Sequence, residues 1–437
     1  MLLALSGFAM VISFMVLIMS KRLSAVTALA LVPLAFALIV GAGPNVGDHI
    51  MAGMVQVAPT VVMLMFAILY FGIMIDVGLF DPLVERIVRW VKSDPLKVTL
   101  GHMALATLVG LDGDGTTTIL VTTSAMLPIY RRLGMNPMIF ALIGSMAGTL
   151  TNLVPWGGPS SRVAAALNVN LIDLFVPLIP AMLVGLTTAF CIAWYFGVRE
   201  RRRLGRDAVE ITNQNELVEN ALQKFERDPE ARRPRLIWVN FLLTAAMMTS
   251  IIIHIAPPQV IFMLAFVLAL VINYPKLNDQ RMRIISHAPN VITMATMVLA
   301  AGAFTGVLSG TGMVDAMARG VIAVVPEPLG PYMAVVTALL SIPMTFFLSN
   351  DAFYFGILPI LSEAGGVYGI SPEEMGRASL LGQPVHGLSP LVASLYLKCA
   401  IIGIDVADYQ KFAMRWMIVL SLVVIAAAIA SFAIPFA

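Results

Sequence analysis

Residues 111–118 read Leu-Asp-Gly-Asp-Gly-Thr-Thr-Thr, placing two carboxylates, two glycines and three hydroxyls inside nearly continuous hydrocarbon. The apolar arms on either side, Leu96 to Leu111 and Thr116 to Tyr130, hold only about 15 to 16 residues each. As helices they reach roughly 23 Å at ~1.5 Å per residue, short of the ~30 Å hydrocarbon of a bilayer. Neither arm spans alone. Lys92 and Lys97 stand before the first arm and Arg131 and Arg132 close the second, so both open ends carry the basic residues expected on the cytoplasmic side. The simplest path is a re-entrant hairpin whose polar tip lies inside the membrane.

Composition sets the class around that hairpin. Of 437 residues, 59% are hydrophobic and 12% charged, with a mean hydropathy of +0.90. This excludes a soluble globular domain and indicates an all-α polytopic membrane protein. Cys191 and Cys399 both lie in apolar segments, which argues against a disulfide framework or a Cys-ligated metal. Met1 to Met19 lacks early basic residues and is followed by Lys21-Arg22, so it reads as a retained span with its N-terminus outside, not as a secretory signal. No G-x-x-x-x-G-K-[ST] stretch occurs, so transport is expected to run on an ion gradient or a partner subunit. No nucleic-acid partner is expected.

In chain order, spans are expected near Leu2 to Met19, Ala25 to Val40 and Val57 to Ile75, then an amphipathic cytoplasmic helix from Pro82 to Lys92. After the hairpin, Met138 to Thr151 runs into Asn152-Leu153-Val154-Pro155-Trp156-Gly157-Gly158-Pro159 before a helical pattern resumes at Ser160 to Leu167. Such a break at membrane depth is tolerated only where it is buried in protein or lines a cavity. A span from Leu174 to Phe196 leads to a polar linker, Arg199 to Arg235, with an apolar stripe at Leu217, Ala221 and Phe225. Spans near Leu236 to Ile255, Val260 to Asn273 and Ala288 to Ser309 follow, then an amphipathic segment Met313 to Val325, a second hairpin, a second broken helix and a last span.

The second half echoes the first. Val57-Ala58-Pro59-Thr60-Val61 matches His287-Ala288-Pro289-Asn290-Val291, Arg86 through Leu96 matches Arg319 through Leu329, and Gly134-Met135-Asn136-Pro137 matches Gly369-Ile370-Ser371-Pro372, at offsets of 230, 233 and 235. Five crossings separate the two starts, so the repeats are expected to be inverted. The organisation is a first repeat 1–198 (scaffold spans 1–95, hairpin and broken helix 96–170, span 171–198), a cytoplasmic linker 199–235, and a second repeat 236–437 (scaffold spans 236–328, hairpin and broken helix 329–403, span 404–437). About ten full crossings and two hairpins result, with both termini outside. On this path all of the 27 Lys and Arg except Arg162, Arg319 and Arg377 fall on the cytoplasmic side, while Glu327 and Glu363 mark the outer feet of the second hairpin.

The second hairpin tip is Ser349-Asn350-Asp351, and the second break is Gln383-Pro384-Val385-His386-Gly387-Leu388-Ser389-Pro390. Four interrupted elements therefore carry nearly all the polar groups at membrane depth, the general plan of secondary transporters with a substrate site near the midplane. Helix N-termini opening at Thr116 and Phe353 are expected to aim free N–H groups at anionic ligand groups. Hydroxyls of Thr116, Thr117, Thr118, Ser349 and Ser389, the backbone at Gly157 and Gly158, and amides of Asn152, Asn350 and Gln383 complete the expected substrate-binding set. Asp112, Asp114 and Asp351 are costly there unless protonated, paired or ion-bound, which marks them as proton-coupling groups or oxygen ligands of a hard cation. His386 is a proton carrier or a structural histidine. Arg162 is the partner of either a ligand carboxylate or an internal aspartate. His102 reads as packed, Arg377 as snorkelling, and His49, His254 and His287 fall near membrane surfaces and need no special role. No Lys lies in the interrupted stretches.

With these motifs, and with Thr123-Ser124-Ala125-Met126-Leu127-Pro128 and Leu381-Gly382 beside them, the chain resembles the citrate-metal-proton symporter (CitMHS) family of the ion transporter superfamily along essentially its whole length. The resemblance implies proton-coupled uptake of citrate complexed to a divalent metal, of Mg or Ca type, across the bacterial inner membrane, with no tightly bound cofactor. It also implies a homodimer in which hairpins and broken helices move like an elevator against fixed scaffold spans. Related sodium-coupled dicarboxylate carriers have Ser-Asn-Thr at both tips, whereas Asp occurs here, which fits protons or a metal better. A proton-coupled carrier of free gluconate or dicarboxylate is the alternative. An intramembrane aspartyl protease is the enzyme alternative, but Leu111 stands where the first glycine of its Gly-x-Gly-Asp motif belongs.

Overall fold

The computed structural model describes residues 2–91, 94–111, 113, 115–204, 230–253, 255–323 and 326–437; the side chains of residues 84, 88, 115–117, 120, 252 and 327 are outside the description. The regular structure is helical throughout the described residues, as expected where lipid offers no partner for a backbone amide. The first half comprises α1 (Leu2–Met19), α2 (Ala25–Ile39), α3 (Val46–Asp76), α4 (Asp81–Val91), α5 (Pro95–Gly110), α6 (Gly115–Arg132), α7 (Pro137–Thr151), α8 (Gly158–Leu167), α9 (Leu171–Phe175) and α10 (Ile179–Leu204). The second comprises α11 (Ile237–Ile252), α12 (Pro258–Asn273), α13 (Leu277–Gly310), α14 (Met313–Ile322), α15 (Met333–Phe347), α16 (Leu358–Gly366), α17 (Pro372–Leu380), α18 (Gln383–His386), α19 (Ala393–Ile402) and α20 (Val406–Ala430).

Seven segments are long and apolar enough to cross a membrane, and α2, α7, α12 and α19 are apolar but shorter. Seven is fewer than the ten crossings expected from the sequence. One of the seven, Pro328–Phe347, is the first arm of the expected second hairpin; a 3₁₀ stretch, Glu327–Tyr332, extends it ahead of the 15-residue α15. The long helices also outrun their apolar runs. α3 starts at Val46 and not Val57, and α13 at Leu277 and not Ala288, because hydropathy marks only the lipid-facing part of a helix whose backbone bonding continues past it. Likewise α10 runs to Leu204, six residues into the expected linker, since buried Glu200 holds it there through Arg203 Nε (2.8 Å) and the Asn136 N–H (2.9 Å). The stripe Leu217, Ala221 and Phe225 lies outside the described residues, as do Lys92 and His254.

The most extensive contact between helices is that of α3 with α13. His49 meets Gly310, Gly53 meets Gly302 and Gly306, and Gly72 meets His287, so residue number falls along one helix as it rises along the other. The two run antiparallel. A Cβ on Gly53 would stand 2.0 Å from the Gly302 carbonyl oxygen, so only glycine permits this approach. Small residues at such contacts let backbones pack closely where lipid supplies no hydrophobic drive. Around this pair, α2 lies against α13 while α12 lies against α3. Hairpin α5–α6 packs on α7 and α10, and α15 packs on α17 and α18.

Candidate functional site

The first break begins where α7 ends at Asn152. Gly157 closes the turn tightly, since a Cβ there would lie 2.0 Å from the Asn152 carbonyl oxygen. The Asn152 side-chain oxygen accepts from the Gly158 N–H at 3.3 Å, and Ser160 Oγ donates to the Leu153 carbonyl at 2.9 Å. These bonds satisfy an N–H at the start of α8 and a carbonyl in the break, neither of which has an intrahelical partner. Trp156 faces both ways: its Nε1–H donates to the Leu111 carbonyl at the first tip (2.8 Å), and its ring stacks on Phe71 of α3 with centroids 4.2 Å apart.

The second tip is built differently. α15 ends at Phe347, and the chain is helical again from Asn350, not from Phe353 as expected. Ser349 Oγ accepts from the Ala352 N–H at 3.1 Å, doing the work of an N-cap. The arm then widens into a π-helical turn, Ala352–Ile357, in which Phe353, Tyr354 and Phe355 are all fully buried. Asn350 Oδ1 and the Tyr354 hydroxyl both lie within reach of Gln383 Nε2, at 2.9 and 2.6 Å. His386 Nδ1 sits 2.6 Å from the Thr345 carbonyl; a carbonyl only accepts, so Nδ1 carries the hydrogen. Ser389 Oγ donates to the Phe346 carbonyl at 2.7 Å.

The two halves meet at an ion pair. Arg162, one turn into α8, places Nε 2.6 Å from Asp351 Oδ1 across 189 positions of sequence, and its Nη1 donates to the Gly158 carbonyl at 2.9 Å. Its partner is thus the internal aspartate. The side chains retain 19% and 16% exposure, so the pair is reachable by a ligand. Asn152, Gly157, Gly158, Arg162, Ser349, Asn350, Asp351, Gln383, His386 and Ser389 therefore form one connected region. Thr118 is buried one turn into α6. Asp112 and Asp114 lie outside the described residues, as do the side chains of Thr116 and Thr117. Among the described residues no three His, Cys, Asp or Glu side chains cluster as a metal site.

A cavity of about 320 Å³ adjoins this region, lined by Phe71, Gly113, Trp156, Gly158, His287 and Thr293 among others. It reaches the first tip and first break but not Asp351. His287, expected near a membrane surface with no special role, lines it and bonds Asp76 Oδ2 at 2.9 Å, with Arg283 Nη1 at 3.4 Å from the same oxygen. Its position in the Ala-Pro echo, inside a repeated motif, was the available signal. Arg377 does not snorkel: it is buried and donates to the carbonyls of Ala433 and Asp173. Lys398, counted with the cytoplasmic residues, is 5% exposed within the helix that continues the second break. His102 is packed as expected, stacked on Phe140 at 4.2 Å.

Comparison with known proteins agrees over the whole chain. The CitMHS family, described as citrate transporter, matches residues 14–382. A citrate transporter of Bacillus subtilis (strain 168) is 49% identical over 431 residues, covering 98% of each chain. A Mg(2+)/citrate complex secondary transporter of the same organism is 46% identical over 429 residues, again covering 98% of each. In fold the chain is similar to the YdaH transporter of Alcanivorax borkumensis (TM-score 0.57, 14% identity, 89% of this chain and 88% of that one). It is also similar to MtrF of Neisseria gonorrhoeae (TM-score 0.62, 14% identity, 90% and 86%). These relatives are transporters and not enzymes, which removes the protease alternative. The chain belongs to the CitMHS family of citrate transporters.

Proposed function

We propose that this protein takes up citrate as a complex with a divalent metal, in symport with protons, by alternating access at the region joined by Arg162 and Asp351. The ion pair carries this reading. A pre-paired cation and anion offer a guanidinium to a ligand carboxylate and a carboxylate oxygen to a hard cation, the two faces of a metal-citrate complex. Free citrate, near a trianion at neutral pH, finds no such balance there, and isolated buried charge is heavily penalised. The Bacillus subtilis relative named for the Mg(2+)/citrate complex supports the same cargo.

Asp112, Asp114, Asp351 and His386 are the proton-coupling candidates, with the three aspartates also able to meet the metal. The threonines of the first tip and the amides of Asn152, Asn350 and Gln383 orient the remaining carboxylates. The antiparallel run of α3 and α13, each with a proline about 13 residues from its start, and the exchanged packing of α2 and α12 favour inverted repeats with both termini outside. Hairpins and broken helices then slide as one body past the α3–α13 scaffold of a homodimer in the inner membrane.

Labelled citrate and metal are followed together in proteoliposomes under an inward proton gradient. Both are expected to accumulate, and chelating divalent ions should stop the citrate. Undiminished citrate uptake after complete chelation, or no metal moving with it, overturns the reading in favour of a free organic anion such as gluconate or a dicarboxylate. Cysteines placed near Arg132 and near Glu363 should label from opposite faces; labelling from one face would end the inverted topology.

A further inference from the structure

The helix after the second break buries an amine that the site does not use. Lys398 of α19 donates through Nζ to Ser145 Oγ of α7 and sits 3.4 Å from the Tyr409 hydroxyl of α20. Ser145 Oγ and the Tyr409 hydroxyl are 2.7 Å apart, and Tyr409 donates onward to the Ala141 carbonyl at 3.0 Å. The result is a directed chain from amine to serine to tyrosine to carbonyl. Nothing acidic belongs to it. No carboxylate lies within 4.0 Å of Nζ among the described residues, whereas Arg162, Arg201, Arg203, Arg232 and Arg283 all face one. The other buried cation, Arg377, is held by two backbone carbonyls and cannot discharge. A lysine in the same situation can.

The surroundings sharpen the point. α7 offers no titratable side chain, only Ser145. α20 offers Tyr409, whose ring lies 4.8 Å from Nζ. From α6, Arg131 reaches the carbonyls of Ile401 and Ile402 at the end of α19, adding positive charge to the neighbourhood. Cys399 lies beside Lys398 on its own helix, and Asp405 is engaged in capping the N–H groups of Ala407 and Asp408. Ser145 and Asn152 lie on the same helix seven residues apart, about 10 Å at 1.5 Å per residue, which puts the amine within electrostatic reach of an anionic cargo at the break.

We propose that Lys398 alternates between ammonium and amine during the transport cycle, carrying one coupled proton and balancing the charge of the anionic cargo held near Asn152. The proton is taken from water on one side and returned to water on the other, with Ser145 and Tyr409 bonded to either form. The inference rests on the symport reading above and adds a residue to it.

The test uses full-length wild type, Lys398→Gln, Lys398→Met and Lys398→Arg in proteoliposomes with Mg²⁺ and labelled citrate. Counterflow without a gradient reads binding and movement; accumulation under an inward gradient reads coupling. One pH unit is worth about tenfold accumulation per coupled proton. Lys398→Gln is expected to keep counterflow and lose that factor, with a flattened pH profile, and Lys398→Arg to lose it likewise because it stays charged. A coupled wild type with an equally coupled Lys398→Gln overturns the lysine proposal alone. Loss of counterflow in all three variants also overturns it, since the lysine is then structural. A wild type with no proton-driven accumulation removes the symport reading, and the lysine proposal with it.

Discussion

Two seams hold the interior together, and they are made in opposite ways. Between α3 and α13 the contact exists because side chains are missing: Gly53, Gly302 and Gly306 let backbones touch. Between the first break and the second tip it exists because charges match: Arg162 reaches Asp351 at 2.6 Å. The first seam is held by close backbone packing, whose contacts are lost if the helices part and which lipid chains do not replace at the same closeness. In the proposed mechanism the second opens when a ligand offers each partner something equivalent, and a fixed scaffold beside a breakable latch is what that mechanism requires.

The largest expected effect breaks the fixed seam. Gly53→Leu forces a side chain into the Gly302 carbonyl, where neither backbone yields, so the cost is expected at the upper end of overpacking, about 3 kcal/mol. Its thermal midpoint in detergent should fall furthest of all variants, with transport lost. A midpoint equal to wild type would show that the helices do not approach so closely.

Breaking the latch separates stability from transport. Asp351→Asn or Arg162→Gln leaves one partial burial unpaired, on the order of 2 to 3 kcal/mol given that both side chains keep some exposure. Citrate uptake at low concentration should drop by about 100-fold, while the charge swap Arg162→Asp with Asp351→Arg should restore the melting temperature but not the uptake. Swap variants that transport at wild-type rates would reduce the pair to a structural contact.

The smallest effect lies where the two seams adjoin. Trp156→Phe removes the bond to the Leu111 carbonyl yet keeps a ring on Phe71, a net loss of about 1 kcal/mol. A rise of roughly fivefold in the citrate concentration needed for half-maximal uptake is expected, with little change in melting. No change in uptake would mean that the first tip is positioned without the indole.

Much of this was legible in the residues because it is local. Short arms around a polar tip announce a hairpin through the ratio of helix rise to membrane thickness. Proline and glycine at 155–159 announce a break through missing donors. The polar set at the four interruptions was readable for the same reason, and the folded chain brings its described members together. What misled was also local. Hydropathy ended α3 and α13 early, and no local pattern told what surrounds His287 and Lys398.

Sequence alone determined that this chain is an all-α membrane protein with interrupted helices rich in polar groups, and the motifs there pointed to its family. Those properties depend on neighbours a few positions apart, whose spacing is set by covalent geometry. Only the tertiary structure decided that Arg162 belongs to Asp351, that Arg377 is clamped to carbonyls and that Lys398 has hydroxyls but, among the described residues, no carboxylate. Each of those contacts is made by residues far apart in the chain, or in the case of Tyr409 across a turn between helices, and burial decides what a charge must find there. No pattern of spacing encodes that, because the partner of a buried charge is chosen by the path of the whole chain.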